Sequence, residues 1–195
     1  MNRALDVAIA GTGLVVGSPL LALGALAVKL EDGGPVLYKQ ARVGRGGVDF
    51  ELLKLRTMVV GAETQGAGLA VDKGDARITR SGRILRSLSI DELPQLWNVV
   101  RGDMSIIGPR PTLRYQVEQY DERQLHRLDV KPGITGWAQI HGRARLPWSE
   151  RIELDLWYVR HRSWKTDLLI LLRTPVALFG GTYKGRTGGW QPPAR

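Results

Sequence analysis

The segment Arg86–Pro111 reads RSLSIDELPQLWNVVRGDMSIIGPRP and concentrates charge within an apolar frame. It carries adjacent carboxylates at Asp91 and Glu92, a further acid at Asp103, and arginines at Arg86, Arg101 and Arg110. Arg110 stands between Pro109 and Pro111, while Leu93, Leu96, Trp97, Val99, Ile106 and Ile107 separate the charges. Such a pattern predicts acids and anion-binding cations held in a rigid setting. A structural reading of the same letters stands beside it. Ser89-Ile90-Asp91-Glu92 fits S-x-x-E, in which Ser89 caps a helix and Glu92 reaches back to the cap, and acids in a first turn suit the helix dipole. The readings are compatible, because a helix N-terminus keeps an aspartate ionised and presents free N–H groups to phosphate.

The totals narrow the partners. The 195 residues suit one domain with a sizeable core. Lysine and arginine total 28 against 19 acids, a net charge of +9 with an isoelectric point near 10.2. That balance points to nucleic acid, an acidic lipid surface or phosphorylated substrates. The absence of cysteine excludes disulfides and thiolate zinc sites. His126, His141 and His161 lack metal-ligand spacing, which leaves a hard ion such as magnesium, held by carboxylates and phosphate.

Upstream, Val7–Val28 is an uncharged run of 22 residues, just long enough to cross a hydrocarbon core. Ser18-Pro19 sits at its midpoint, where proline removes a helical hydrogen bond and bends the axis. By pattern alone a plain span is favoured over a re-entrant hairpin, and the basic residues after the run place the body in the cytoplasm. Next come two strand-like runs, Val36–Val43 and Val48–Met58, joined by Gly44-Arg45-Gly46-Gly47 as a hairpin. Alternation puts Lys54 and Arg56 on one face, either for anion contact or merely solvated. Gly61–Asp75 is a polar, Gly-rich loop long enough for a mobile or functional segment, and a helix is expected over Arg80–Ser87.

Downstream, Pro111–Leu128 shows helical spacing and predicts a scaffold helix. Val130–Ile140 reads as a turn-rich connector, and the next residues include Arg143 and Arg145, either a third anion contact or solvated charge. Ser149–His161 predicts a helix. Trp164–Phe179 suits one lying in the headgroup plane, with a buried core helix as the alternative. Trp157, Tyr158 and Trp164 with Arg160, Arg162 and Lys165 have the composition of an interfacial belt. The tail, Gly180–Arg195, is expected to be loose.

Taken in order, these pieces resemble the small monotopic phosphoglycosyl transferases, the bacterial sugar transferase family. The resemblance is carried by Ser18-Pro19, Gly34-Pro35-Val36, Gln40-Ala41-Arg42-Val43-Gly44, Lys54-Leu55-Arg56-Thr57-Met58 and the run from Arg86 to Asn98. It continues through Gly102-Asp103-Met104-Ser105, Gly108-Pro109-Arg110-Pro111, Lys131–Gln139 and Asp155-Leu156-Trp157-Tyr158. His141 departs from the pattern, since many members have asparagine before Gly-Arg.

The resemblance implies an α+β, mostly helical monotopic membrane protein with a small β-hairpin and interfacial amphipathic helices. A re-entrant helix-break-helix over 1–30, broken at Ser18-Pro19, would precede a catalytic domain over 31–180 and a tail over 181–195. It reverses the preference for a plain span. The implied reaction moves a sugar 1-phosphate from a UDP-sugar to polyprenyl phosphate, of which undecaprenyl phosphate is the expected form, and releases UMP. Asp91 would be the nucleophile of the Asp91-Glu92 dyad, with Mg2+ held at the dyad. Phosphate contacts would fall on Lys54, Arg56, Arg86, Pro109-Arg110-Pro111 and Arg143. The implied setting is the cytoplasmic face of the bacterial inner membrane, at the start of glycan assembly such as exopolysaccharide synthesis. No nucleic acid is implied and a homodimer is left open. The rival reading, motivated by the net charge, is a membrane-tethered basic binding protein without catalysis.

Overall fold

The computed structural model describes residues 2–65, 74–142 and 145–179. The chain is mostly helical, as the resemblance implied, and begins with α1 (Arg3–Asp32), an apolar helix of 30 residues. Asn2 caps it by accepting from Ala4 N–H, and Gly33, in the left-handed conformation at φ 70°, ends it. Helical geometry continues on both sides of Pro19, so the expected break does not interrupt the helix. The carbonyl of Val15, which would have bonded the N–H that Pro19 lacks, instead accepts from Ser18 Oγ at 2.8 Å.

Both ends of α1 are fastened to the same body. At its start, buried Asp6 accepts from Ser105 Oγ and Ile106 N–H, and Arg3 donates to the carbonyls of Val99 and Val100. At its end, Glu31 accepts from the N–H groups of Arg80 and Ser81, and Asp32 pairs with Arg56. Between them the face that meets the body is lined by small residues: Ala10 is fully buried, Gly13 packs on Leu96, Gly17 on Leu93 and Gly24 on Leu55. The opposite face exposes Val15, Val16, Leu20, Leu23, Leu26 and Leu30.

The hairpin forms as expected. Strands β1 (Leu37–Val43) and β2 (Asp49–Leu55) pair antiparallel, with Tyr38 opposite Lys54 and Arg42 opposite Phe50. Helix α2 (Arg80–Ser87) matches its expected bounds and is capped by Thr79, whose hydroxyl accepts from Gly82 N–H. Helix α3 (Gln95–Arg101) follows directly after Pro94, at a position where a missing N–H costs nothing.

Two strands were not legible in the sequence. Ser105–Ile107 (β3) and Gly133–Thr135 (β4) pair in parallel, and the second lies inside the expected connector. Their close approach requires glycine, since a Cβ at Gly108 would lie 2.3 Å from the Lys131 carbonyl oxygen. The scaffold helix expected over Pro111–Leu128 is divided into α4 (Arg114–Val117), α5 (Glu122–Leu125) and a 3-10 turn over His126–Leu128. Asp121 causes the division: its carboxylate accepts from Gln124 N–H while Gln124 Oε1 accepts from Asp121 N–H. This local capping competes with continuation of the helix.

Helices α6 (Trp137–Ile140), α7 (Trp148–Arg160) and α8 (Trp164–Phe179) complete the order. The main core joins Ala10, Leu52, Val99, Met104, Ile106, Ile107, Tyr158 and Ile170, so α1, β2, α3, β3, α7 and α8 share it. Tyr158 is thereby removed from the expected interfacial belt; it is buried and donates to Asp167 Oδ1 at 2.8 Å. Trp164, Leu168, Leu172 and Val176, one helical turn apart, form an exposed apolar stripe on α8. The expectations for the tail and for most of the Gly61–Asp75 loop fall outside the described residues.

Candidate active site

The acids are presented by a strained turn. After α2 the chain enters Ser89 at φ 56°, the only positive φ among the described non-glycine residues, and makes a 3-10 turn over Ile90–Glu92. A serine in that conformation costs of order 1 kcal/mol, and such outliers cluster at functional sites. Ser89 makes no side-chain cap, so the S-x-x-E capping expectation is corrected: Glu92 turns to cations instead. The turn buries both Asp91, 4% exposed, and Glu92, 7% exposed.

Glu92 organises the cations. Its Oε1 lies 2.5 Å from an Arg110 terminal nitrogen and 3.2 Å from Lys54 Nζ. Arg86 is braced by its Nε on Thr57 Oγ1 at 2.7 Å. Asp91 Oδ1, in contrast, is buried with no hydrogen-bond partner among the described residues. Burial, reinforced by the charge of Glu92, pushes the Asp91 carboxyl up to about 6, against the pull of Lys54, Arg86 and Arg110. Burial also lowers Lys54, and Glu92 opposes that shift. The fold therefore brings Lys54, Arg86, Arg110, Asp91 and Glu92 together.

Arg56 is not brought to them. Its guanidinium is clamped by Asp32, by the Pro35 carbonyl at 2.6 Å and by the Met58 carbonyl at 3.2 Å, which makes it a fastener for the end of α1. Alternation along β2 suggested a shared face with Lys54, but the strand ends at Leu55 and the alternation ends with it. Arg143 lies outside the described residues, and Arg145 is exposed at a turn before α7. Ser18 and Pro19 lie on the exposed side of α1.

The Pro109-Arg110-Pro111 loop is held by its own backbone. Gly133 N–H donates to the Pro109 carbonyl at 2.8 Å, Arg127 to the Arg110 carbonyl at 2.7 Å, and Arg42 to the Pro111 carbonyl at 3.3 Å. Arg127 is itself buried and paired with Asp155 of α7 at 2.7 Å, with further bonds to Thr112 and Tyr120. The sequence reading gave no role to Arg127. Its one signal there is a cation within an apolar helical pattern, which is common on surfaces. Asn98 was also missed: fully buried, it accepts from Leu53 N–H and donates to the Glu51 carbonyl and to Asp103, joining α3 to β2.

Comparison with known proteins identifies the family. A family described as "Bacterial sugar transferase" matches residues 1–181. The chain belongs to that family. An uncharacterized sugar transferase, EpsL, of Bacillus subtilis is 45% identical over 174 residues, covering 89% of this chain and 85% of the relative. The UDP-glucose:undecaprenyl-phosphate glucose-1-phosphate transferase of Caulobacter vibrioides is 46% identical over 185 residues, or 91% of this chain and 69% of that protein. An Aeromonas hydrophila UDP-N-acetylgalactosamine-undecaprenyl-phosphate N-acetylgalactosaminephosphotransferase is 43% identical over 180 residues, and this chain spans only 42% of its length. The cluster of two acids and three cations is the candidate site that the fold assembles.

Proposed function

We propose that the protein transfers a sugar 1-phosphate from a UDP-sugar to a polyprenyl phosphate such as undecaprenyl phosphate, through a phosphosugar covalently held on Asp91. The observation that carries this reading is the buried, unpartnered Asp91 Oδ1 beside the Lys54–Glu92–Arg110 cluster and within reach of the charge of Arg86. A carboxylate stripped of water and hydrogen bonds is a stronger nucleophile than a solvated one. Its elevated pKa still leaves it ionised at neutral pH.

The cations bind and orient the diphosphate and neutralise its oxygens as charge shifts to the leaving nucleotide. Glu92 keeps Lys54 and Arg110 in place when no phosphate is bound, while the Pro-Arg-Pro backbone bonds fix where Arg110 starts. An unpartnered carboxylate oxygen suits Mg2+, which commonly takes one or two carboxylates and completes its shell with substrate phosphates and water. Asp91 and Glu92 would hold it, and it would supply charge neutralisation on the phosphoryl oxygens.

The location follows from α1 and α8. A helix whose two ends bond the same body, while its outer face exposes Val15, Val16, Leu20 and Leu23, favours, over a span, lying against one side of the bilayer with that face dipped into it. The apolar stripe on α8 supports a headgroup-plane position. That arrangement would put Asp91 where a lipid phosphate meets a soluble nucleotide sugar, on the cytoplasmic face of the bacterial inner membrane.

The test is a panel of UDP-sugars with the detergent-solubilised protein, undecaprenyl phosphate and Mg2+, followed by UMP release. Asp91→Asn should abolish release, whereas Asp103→Asn, whose carboxylate is tied to Asn98, should retain turnover. Undiminished release by Asp91→Asn would sink the mechanism. Failure to trap a phosphosugar on the protein in the absence of lipid would favour direct displacement.

A further inference from the structure

One cation near the site has so far only a structural part, the bond from Arg42 to the Pro111 carbonyl. Arg42 shares a face of β1 with Tyr38 and Gln40, and Tyr38 lies directly across the hairpin from Lys54. Its guanidinium folds back toward the cluster: one terminal nitrogen donates to Gln40 Oε1 and the other to the Pro111 carbonyl at 3.3 Å. Its Nε, also buried, has no hydrogen-bond partner among the described residues. Burial and the neighbouring charge of Arg110 pull Arg42 down to about 10, so it stays charged at neutral pH beside a second guanidinium. Glu92 is the carboxylate of the cluster that acts on both arginines, and it already bonds Arg110 and Lys54. Two like charges with an unused buried donor are an incomplete arrangement, which an anion would complete.

We propose that Arg42 is a substrate-binding residue that takes the phosphate of the departing nucleotide, and afterwards the phosphate of the lipid acceptor. The inference rests on the transferase reading. In the first half-reaction a bond forms from an Asp91 oxygen to the sugar-bearing phosphorus. The bond from that phosphorus to the bridging oxygen breaks, and its electron pair leaves with UMP. In the second, an oxygen of the lipid phosphate bonds the same phosphorus and Asp91 regains its electron pair. Entering and leaving atoms lie roughly in line across the phosphorus. The nucleotide phosphate leaving in step one and the lipid phosphate entering in step two therefore occupy the same place, opposite Asp91.

Charges order the groups in the same way. Asp91 feels Glu92, Lys54, Arg86 and Arg110, whereas Arg42 feels Arg110, Tyr38, Tyr115 and Glu92. Gln40 lies between Arg42 and Tyr38 on that face of β1, so the bond to its Oε1 draws the guanidinium along the strand toward the level of Lys54.

The experiment uses UMP as the probe, with the full chain in detergent micelles, and measures its affinity, UMP release from UDP-sugars and thermal midpoint. Arg42→Ala should weaken UMP about tenfold or more, as expected for a hydrogen bond to a charged group. It should also raise the KM values for UDP-sugar and undecaprenyl phosphate together, with the thermal midpoint unchanged. Gln40→Ala, which removes the brace and leaves the charge, should weaken UMP several-fold; it decides the matter if Arg42→Ala does not fold. Folded variants that bind UMP within twofold of an active wild type would overturn the role of Arg42 alone. A wild-type protein that neither binds nor releases UMP would overturn the transferase reading with it.

Discussion

Glu92 and Arg110, 18 residues apart, meet at 2.5 Å, and the same carboxylate oxygen lies 3.2 Å from Lys54 Nζ. One buried acid thus presets two cations from different elements. Glu92→Gln would keep the shape and release both charges. Because a displacement of about 1 Å at a reacting centre can cost about 10²-fold, UMP release should fall by that order. Steady-state assays with matched thermal midpoints check this. Activity within a fewfold of wild type would show that the cations are placed without Glu92.

The burial of Asp91 has a thermodynamic counterpart. Its folded-state pKa, about 6, lies above its ordinary 3.8, so the folded state binds this proton more tightly than the unfolded one. The carboxyl therefore costs stability as pH rises from 3.8 toward 6, and the cost is constant above that window. In magnesium-free buffer, Asp91→Asn should raise stability by up to about 3 kcal/mol near neutral pH and by little near pH 4. Thermal unfolding of both proteins across that range gives the comparison. An equal gain at both ends would mean that charge is not the cause.

Arg56 should behave as a fastener. Its guanidinium is buried against Asp32, and removing one partner of such a pair leaves an uncompensated charge. Arg56→Ala is expected to lower the thermal midpoint, by less than the breaking of a fully buried pair would because Asp32 is partly exposed. The KM for UDP-sugar should stay within about twofold, the reverse of Lys54→Ala. In a double-mutant cycle Asp32→Ala should couple to it by at least about 0.5 kcal/mol.

The sequence made visible what depends on neighbours along the chain. The segment Arg80–Ser87 was legible as α2, alternation about a glycine turn marked the hairpin, and Asp91-Glu92 with Pro-Arg-Pro marked the candidate site. What stayed hidden depends on distant contacts. Strands β3 and β4 have three residues each, too few for a period, and Gly108 meeting Lys131 sets their pairing. Asn98 reads as an ordinary helix residue until β2 arrives with an N–H and a carbonyl to satisfy. Asp121 shows a local signal, its capping pair with Gln124, which the apolar spacing of the segment masked. Arg56 misled because strand alternation was carried one residue past the strand.

Ser18 and Pro19 act as a pair, and that pairing is measurable. The Ser18 hydroxyl, 2.8 Å from the Val15 carbonyl, replaces the N–H that Pro19 lacks. On the apolar outer face of α1 little else can serve that carbonyl, and an unmet backbone group there costs about 1–3 kcal/mol. Ser18→Ala should therefore lower the thermal midpoint in lipid nanodiscs. Pro19→Ala restores the N–H, so adding Ser18→Ala to it should cost little. The two substitutions are expected to be non-additive by about 1 kcal/mol or more. An undiminished Ser18→Ala penalty in the Pro19→Ala background would show that the hydroxyl serves something other than the carbonyl proline leaves open.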